Sequence, residues 1–223
     1  MTATANVWVT SDGVVHITTP SGHRDQIEVA ESTRLHDEGG VVEVMLQVPG
    51  SSHLPWLVHA GPGCEEVTPG YVLCSDVGRR LTGVRVDAGD RDDSITFSRG
   101  TGWGPSGLGS VTVVGGSGAD QIYNRTPVRG ILNGGDGNDT IVGGSSSDLI
   151  TGGAGNDTLI GGDGDDDLFG EIGDDVLYGE GGRDRLDGGV GHANVLNGGS
   201  ESDTCNWAGP EGRRYYCEAG NGS

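Results

Sequence analysis

The chain has 223 residues, enough for one or two domains, and carries a net charge of −20 with no lysine. That sign argues against electrostatic binding to nucleic acid, and no stretch is long and apolar enough to span a membrane as a helix. Glycine supplies 45 residues without a collagen-like period, so the chain is rich in turns.

Residues 1–10, MTATANVWVT, lack the basic and apolar regions of a secretory leader. Residues 6–18 alternate apolar and polar around Asp12-Gly13, a hairpin signal. Further strands are predicted at 27–30, 41–48 and 56–58. Residues 1–78 are read as a β-rich segment that caps the first edge of a stacked structure downstream, because a bare strand edge invites pairing with other chains. Cys64 and Cys74 flank one short loop, and Cys205 and Cys217 another. The short spacing favours two local disulfides over free or cross-linked thiols, and four cysteines suit an oxidising compartment.

From Gly134 to Asp187 the chain divides into nines: GGDGNDTIV, GGSSSDLIT, GGAGNDTLI, GGDGDDDLF, GEIGDDVLY, GEGGRDRLD. Asp139, Asp148, Asp157, Asp166, Asp175 and Asp184 hold the sixth place, and Ile141, Ile150, Leu159, Leu168, Leu177 and Leu186 the eighth. Backwards from 134 the nines continue after one extra residue, Asn133. Asp120 and Asp93 keep the sixth place there, while Val111 and Arg129 replace it. Downstream, Ala193 falls at the sixth place, Asn197 reads as inserted, and Asp203 recovers the pattern. Residues 207–223, with Trp207, Tyr215 and Tyr216, are read as a C-terminal cap over the last coil.

The glycine-rich six residues of each line must turn, and the remaining three, such as Thr140-Ile141-Val142, form a short strand. Two lines make one coil, and coils stack at the strand spacing of about 4.8 Å. Asp139, Asp157 and Asp175 then fall in one column; Asp148, Asp166 and Asp184 fall in the other. Carboxylates so close repel unless a cation lies between them. Oxygen ligands in a pliant turn suit Ca²⁺ better than Mg²⁺, and the repeats hold no thiolate or histidine pair for zinc. Residues 134–206 carry sixteen carboxylates against Arg183 and Arg185 alone. One apolar side chain per line is a thin core against the entropy of ordering the backbone. Cation binding is therefore expected to supply much of the folding free energy.

These lines resemble the repeats of the RTX, or hemolysin-type calcium-binding, family, written Gly-Gly-x-Gly-x-Asp-x-apolar-x. The resemblance spans about a quarter of the chain. It implies an all-β fold: a right-handed parallel β-roll, or β-solenoid, with several Ca²⁺ ions between vertically adjacent turns. The implied ligands are the carboxylates of Asp139, Asp148, Asp157, Asp166, Asp175 and Asp184, with Asp120 and Asp203 at the ends. Turn carbonyls around Gly135, Gly137, Gly144, Gly153, Gly155, Gly162, Gly164, Gly173 and Gly182 complete the set. Regular spacing puts sites between Asp139 and Asp157, Asp157 and Asp175, Asp148 and Asp166, and Asp166 and Asp184. Extra residues interrupt Asp120 with Asp139 and Asp184 with Asp203. Residues 79–133 are read as coils of the same solenoid that mostly lack metal, 134–206 as the calcium-binding roll. The cystines on either side also resemble those of small secreted bacterial calcium-binding proteins of this kind.

Other motifs give no catalytic centre. Gly102 to Gly107 spells G-x-G-x-x-G without a helix-forming run after it. Asp163, Asp165 and Asp167 open like an EF-hand loop, but Leu168 stands where that loop needs glycine. His16, His53, His59 and His192 are scattered, and neither H-E-x-x-H nor G-x-S-x-G occurs. The expectation is a secreted, non-enzymatic calcium-binding protein with a structural or adhesive role toward a cell surface or extracellular polymer. A leader removed upstream is favoured over a C-terminal export signal. Two rival readings are a calcium-dependent solenoid enzyme acting on extracellular polysaccharide through residues 1–133, and a non-catalytic module of a larger toxin or hydrolase. The capped ends speak against the module.

Overall fold

The computed structural model describes residues 4–11, 14–19, 22, 25–31, 41–47, 57–60, 63–68, 71–75, 82–98, 109–208 and 213–217. No helix occurs among them. In chain order the strands are β1 (Thr4–Val9), β2 (Val14–Thr18), β3 (Gln26–Glu31), β4 (Val41–Gln47), β5 (Leu57–Ala60), β6 (Cys64–Thr68) and β7 (Tyr71–Ser75). Next come β8 (Gly83–Asp87), β9 (Ser94–Ser98), β10 (Ser110–Ser117), β11 (Gln121–Asn124), β12 (Gly130–Asp136), β13 (Thr140–Val142) and β14 (Leu149–Ala154). The last are β15 (Thr158–Asp163), β16 (Asp167–Ile172), β17 (Val176–Gly181), β18 (Arg185–Val190), β19 (Val195–Ser200), β20 (Thr204–Ala208) and β21 (Arg213–Tyr215).

Two sheets contain them all. One runs β20-β18-β16-β14-β12-β10-β8-β2-β1-β5, the other β21-β19-β17-β15-β13-β11-β9-β3-β4-β7-β6. From β8 onward the chain alternates between sheets, and each strand lies parallel to the one two places away. This is a β-roll with two strands per coil. Upstream, β2 and β3 lie parallel on β8 and β9. Antiparallel pairing joins β1 to β2, β3 to β4, and β7 to both β4 and β6. The hairpin expected over 6–18 is the β1–β2 pair, with Val9 opposite Val15; Asp12 and Gly13 lie outside the described residues. The strands expected at 27–30 and 41–48 are β3 and β4, and that at 56–58 overlaps β5, with Val48 and Trp56 outside the described residues.

The period of two along each strand decides what lies between the sheets. In the upstream coils each strand turns two apolar side chains inward: Val15 and Ile17, Val84 and Val86, Ile95 and Phe97, all buried. In the repeats only the eighth-place residue does so. Ile141, Leu159 and Leu177 stack in one sheet, and Ile150, Leu168 and Leu186 in the other. The next inward slot is the first glycine of the following line, such as Gly143 after Ile141 or Gly152 after Ile150. Those glycines are buried too. The glycine leaves room, and the turn fills it.

Two extra residues fall elsewhere than the sequence suggests. Asn133 pairs in register with Val114 and Thr151, so it is no insertion. The extra residue is taken up between Tyr123 and Ile131. There Asn124 accepts from the Thr126 N–H and hydroxyl and donates to the Val128 carbonyl at 2.9 Å. Gly130, not Arg129, consequently takes the sixth place. The second extra residue lies at His192-Ala193, whose two N–H groups both donate to Oδ1 of Asp174, at 2.7 and 2.9 Å. Asn194 thereby replaces Ala193 at the sixth place, and Asn197 pairs normally with Tyr178 and Tyr215.

Disulfides join Cys64 to Cys74, across β6 and β7, and Cys205 in β20 to Cys217. Tyr216 is 76 % exposed and covers no coil, because it follows β21 in a left-handed bend. The side chains of Trp207 and Tyr215 lie outside the described residues.

Candidate metal sites in the turns

Every sixth-place aspartate is buried, none more than 3 % exposed. One carboxylate oxygen of each is spoken for. Oδ1 accepts the backbone N–H of the sixth-place residue one coil earlier. In the first column the N–H groups of Asp120, Asp139 and Asp157 donate to Asp139, Asp157 and Asp175 at 2.8, 2.8 and 2.9 Å. Asp175 donates in turn to Oδ1 of Asn194 at 2.7 Å. In the second column Gly130, Asp148, Asp166 and Asp184 donate to Asp148, Asp166, Asp184 and Asp203 at 2.6, 2.7, 2.9 and 2.9 Å. The two columns expected from the repeat are therefore present, and Asp120 and Asp203 join them despite the nineteen-residue steps.

An exposed ladder beside the first column runs the other way. Asn138 accepts from the Asn156 N–H, and Asn156 from the Asp174 N–H, each at 2.8 Å. Each turn is thus tied to the coil before it by its inner side chain and to the coil after it by its outer one.

The second oxygen is different. Oδ2 of Asp120, Asp139, Asp157, Asp166, Asp175 and Asp184 is buried and accepts no hydrogen bond. A buried acceptor left so is costly, more so when charged. It occupies the slot vacated by the first glycine of its own turn. A methyl group on Gly134 would overlap Oδ2 of Asp139 and come within 2.8 Å of the Gly152 carbonyl oxygen; one on Gly161 would overlap Oδ2 of Asp166 and reach the Gly179 carbonyl at 2.9 Å. Gly152, Gly170 and Gly179 stand in the same relation to Asp157, Asp175 and Asp184. These first glycines were not among the expected site residues.

The glycines that were expected serve the stacking of the turns. Gly135, Gly137, Gly153, Gly155, Gly162, Gly164, Gly173 and Gly182 have φ between +112° and +148°. Each lies against the backbone one coil earlier, as Gly153 does on the Gly135 carbonyl and Gly173 on that of Gly155, where no Cβ fits. Gly144 approaches the Thr126 carbonyl as closely without a positive φ.

Burial sets the electrostatics. It pushes the carboxyls of Asp157 and Asp166 up to about 7, with flanking carboxylates adding to the effect. It pushes Asp120 and Asp184 to about 6, and raises Asp139 and Asp175. Asp148 is raised by burial as well, but both of its oxygens are satisfied: Oδ1 by Gly130 and Oδ2 by the Gly144 N–H at 2.6 Å. Its line, GGSSSD, has Ser146 where the fourth glycine stands elsewhere.

Among the described residues no three His, Cys, Asp or Glu side chains converge. A cation here would draw on one or two carboxylates and on turn carbonyls. That all-oxygen set fits Ca²⁺, and the bare, buried Oδ2 atoms supply the anionic part of it. The first column also extends beyond the expected residues, to Asp25 at its upper end. The sequence signal is Asp-x-Ile, shared by Asp25-Gln26-Ile27, Asp93-Ser94-Ile95 and Asp120-Gln121-Ile122. The other candidates form no site: His16 stacks on Trp8 at 5.1 Å, His192 is exposed, and Asp163, Asp165 and Asp167 are exposed. His53 and residues 102–107 lie outside the described residues, as does the side chain of His59.

Residues 106–124, 133–168 and 160–193 match the family model of the RTX calcium-binding nonapeptide repeat, in four copies. No curated protein and no solved structure matches the chain.

Proposed function

From the RTX calcium-binding repeats within residues 106–193, we propose that this protein is a secreted β-roll in which several Ca²⁺ ions bind at the turns and stabilise the coils. The observation that carries the reading is the set of buried, unpartnered Oδ2 atoms, each in the slot beside a first glycine. Bound calcium would supply positive charge between oxygens that otherwise repel. The chain's own part is to hold those oxygens dry and in register. Asp157, Asp166, Asp175 and Asp184 are the carboxylates to be counted first, with Asp120 and Asp139 above them. The glycines at the second and fourth places contribute by bringing turn carbonyls close from coil to coil.

The role is structural or adhesive rather than catalytic, outside the cell, where calcium is plentiful. Two disulfides suit such a compartment. Strands β1 and β4–β7 cover the upper edges of the two sheets, and the Cys205–Cys217 bridge secures the lower end. The test is a metal count by native mass spectrometry at saturating calcium, with circular dichroism before and after chelation. Several bound ions and a loss of β signal on chelation are expected. No bound calcium, with an unchanged spectrum, would sink the reading. A screen for polysaccharide cleavage with and without calcium addresses the enzyme alternative.

A further inference from the structure

The segments that match the calcium-binding repeat begin at residue 106, short of the top of the first column. Asp93 and Asp25 lie outside the segments that match the repeat. Yet Asp25 and Asp93 continue the same hydrogen-bonded ladder: the Asp25 N–H donates to Oδ1 of Asp93 at 2.6 Å, and the Asp93 N–H to Oδ1 of Asp120 at 2.8 Å. The turn before Asp93 also keeps the repeat's backbone. Gly89 has φ +95°, and Arg91 has φ +81° where all but one of the repeats have a glycine. A side chain in that left-handed region costs roughly 1 kcal/mol or more, so stacking imposes the shape against the residue's preference. Gly116 and Gly118 of the next coil lie on the carbonyls of Gly89 and Arg91.

Asp25 is the terminal rung. No described residue above it offers an N–H, and both of its oxygens are buried without a partner, in a residue 1 % exposed. Oδ2 of Asp93, in a residue 2 % exposed, is bare as well. The nearby Thr19 hydroxyl gives its one proton to the Ala88 carbonyl at 2.6 Å. Asp90 adds a third carboxylate at the rim, where its Oδ1 accepts the Gly22 N–H. Bare oxygens on stacked buried carboxylates call for a positive charge, and among described residues no arginine or histidine pairs with them.

We propose that Asp25 and Asp93 hold a further divalent cation, of the hard, oxygen-seeking class, in the first coils of the roll. This rests on the reading that the bare carboxylates of the repeat turns bind Ca²⁺. The site ties β3, which begins at Gln26, to the coil of β9. It would make the N-terminal coils, whose core is already thicker, part of the metal-dependent structure.

The test uses the full chain and Ca²⁺ itself. Asp25→Asn is the gentlest variant, because Asp25 accepts no hydrogen bond that the change could break. Asp93→Asn keeps its Oδ1 acceptor, as Asn194 does lower in the same column. By native mass spectrometry at saturating calcium, each variant is expected to bind about one ion fewer than the parent, and the double variant no fewer than either single. That non-additivity marks one shared ion. Asp157→Asn runs alongside. If Asp157→Asn loses calcium while Asp25→Asn and Asp93→Asn keep the parental count, the N-terminal site does not exist, although the repeat sites do. If Asp157→Asn loses none either, the underlying reading fails with it. Losses that add in the double variant would overturn the shared site.

Discussion

The side-chain amide of Asn194 donates to the carbonyl of Gly188 at 2.8 Å. In the coils above, aspartates occupy that place and leave an oxygen bare. The amide shows what the slot beside a first glycine asks for: something positive against a carbonyl. An N–H provides it in this turn, and a cation is the proposed provider in the turns whose Oδ2 is bare. Asn194→Asp puts two acceptors face to face. It is expected to lower the melting temperature in chelator, by the cost of an unpaired buried carboxylate, about 1–3 kcal/mol or more, and to add calcium at saturation. Asp157→Asn should do the reverse, losing calcium and losing its stability advantage when calcium is present. Paired melts with and without chelator read both. Identical shifts in the two conditions would separate these residues from any cation.

Asp148 is predicted to behave unlike its neighbours. Both its oxygens already accept backbone N–H groups, from Gly130 and Gly144. Asp148→Asn turns one acceptor into a donor facing the Gly144 N–H, at a cost of about 1–3 kcal/mol. Because this loss is one of hydrogen bonding, it should be nearly the same in calcium and in chelator, with little change in ion count. A calcium loss equal to that of Asp166→Asn would show that the Gly144 contact gives way to metal.

The first glycines offer a steric test. A methyl group at Gly152 would overlap Oδ2 of Asp157, whereas one at Gly181 would meet its nearest atom, Oδ1 of Asp163, at 3.5 Å. Gly152→Ala should therefore destabilise by roughly 1–3 kcal/mol and reduce calcium binding. Gly181→Ala should stay within about 0.5 kcal/mol of the parent. Equal tolerance of both changes in chemical denaturation would mean that the slot is not reserved for the carboxylate.

The roll and its two columns were legible because each place in the repeat answers one demand. The eighth residue fills the core, the first glycine vacates a slot, and the sixth residue caps the coil before it. Ile141, Gly143 and Asp148 each announce their place by type alone. Where an insertion falls is not written that way. An extra residue near Asn133 or Asn197 looks the same on paper as one near Thr126 or His192. The choice depends on which turn can satisfy its freed backbone groups, through Asn124 in one case and Asp174 in the other. Asp93 was legible at the sixth place, but its link to Asp25 was obscured for a related reason. Their flanks lack the paired glycines, and stacking alone imposes the turn on Arg91. The bare state of Oδ2 was beyond the sequence altogether, since it depends on what the neighbouring coil does not offer.

The raised carboxyls reverse the usual effect of mild acid on the metal-free protein. An unfolded aspartate titrates near 3.8, while burial lifts Asp120 and Asp184 to about 6 and Asp157 and Asp166 to about 7. The folded state thus binds protons more tightly than the unfolded one over that interval. By linkage, the stability from these groups is fully present below the unfolded value and is lost as pH rises through 6 to 7. In chelator, the melting temperature should climb as pH falls from about 8 to about 5, a window set by those shifts. Exposed Asp165 and Asp174, held low by backbone N–H groups of the next coil, oppose this only below their ordinary range. At saturating calcium the trend should flatten or invert, because protons compete with the cation for the same oxygens. Calorimetric scans across the range, with and without chelator, give two curves that should converge toward acid. A chelated protein that loses stability steadily from pH 8 downward would show that these carboxyls are ionised in the empty roll, and that something other than a proton neutralises them.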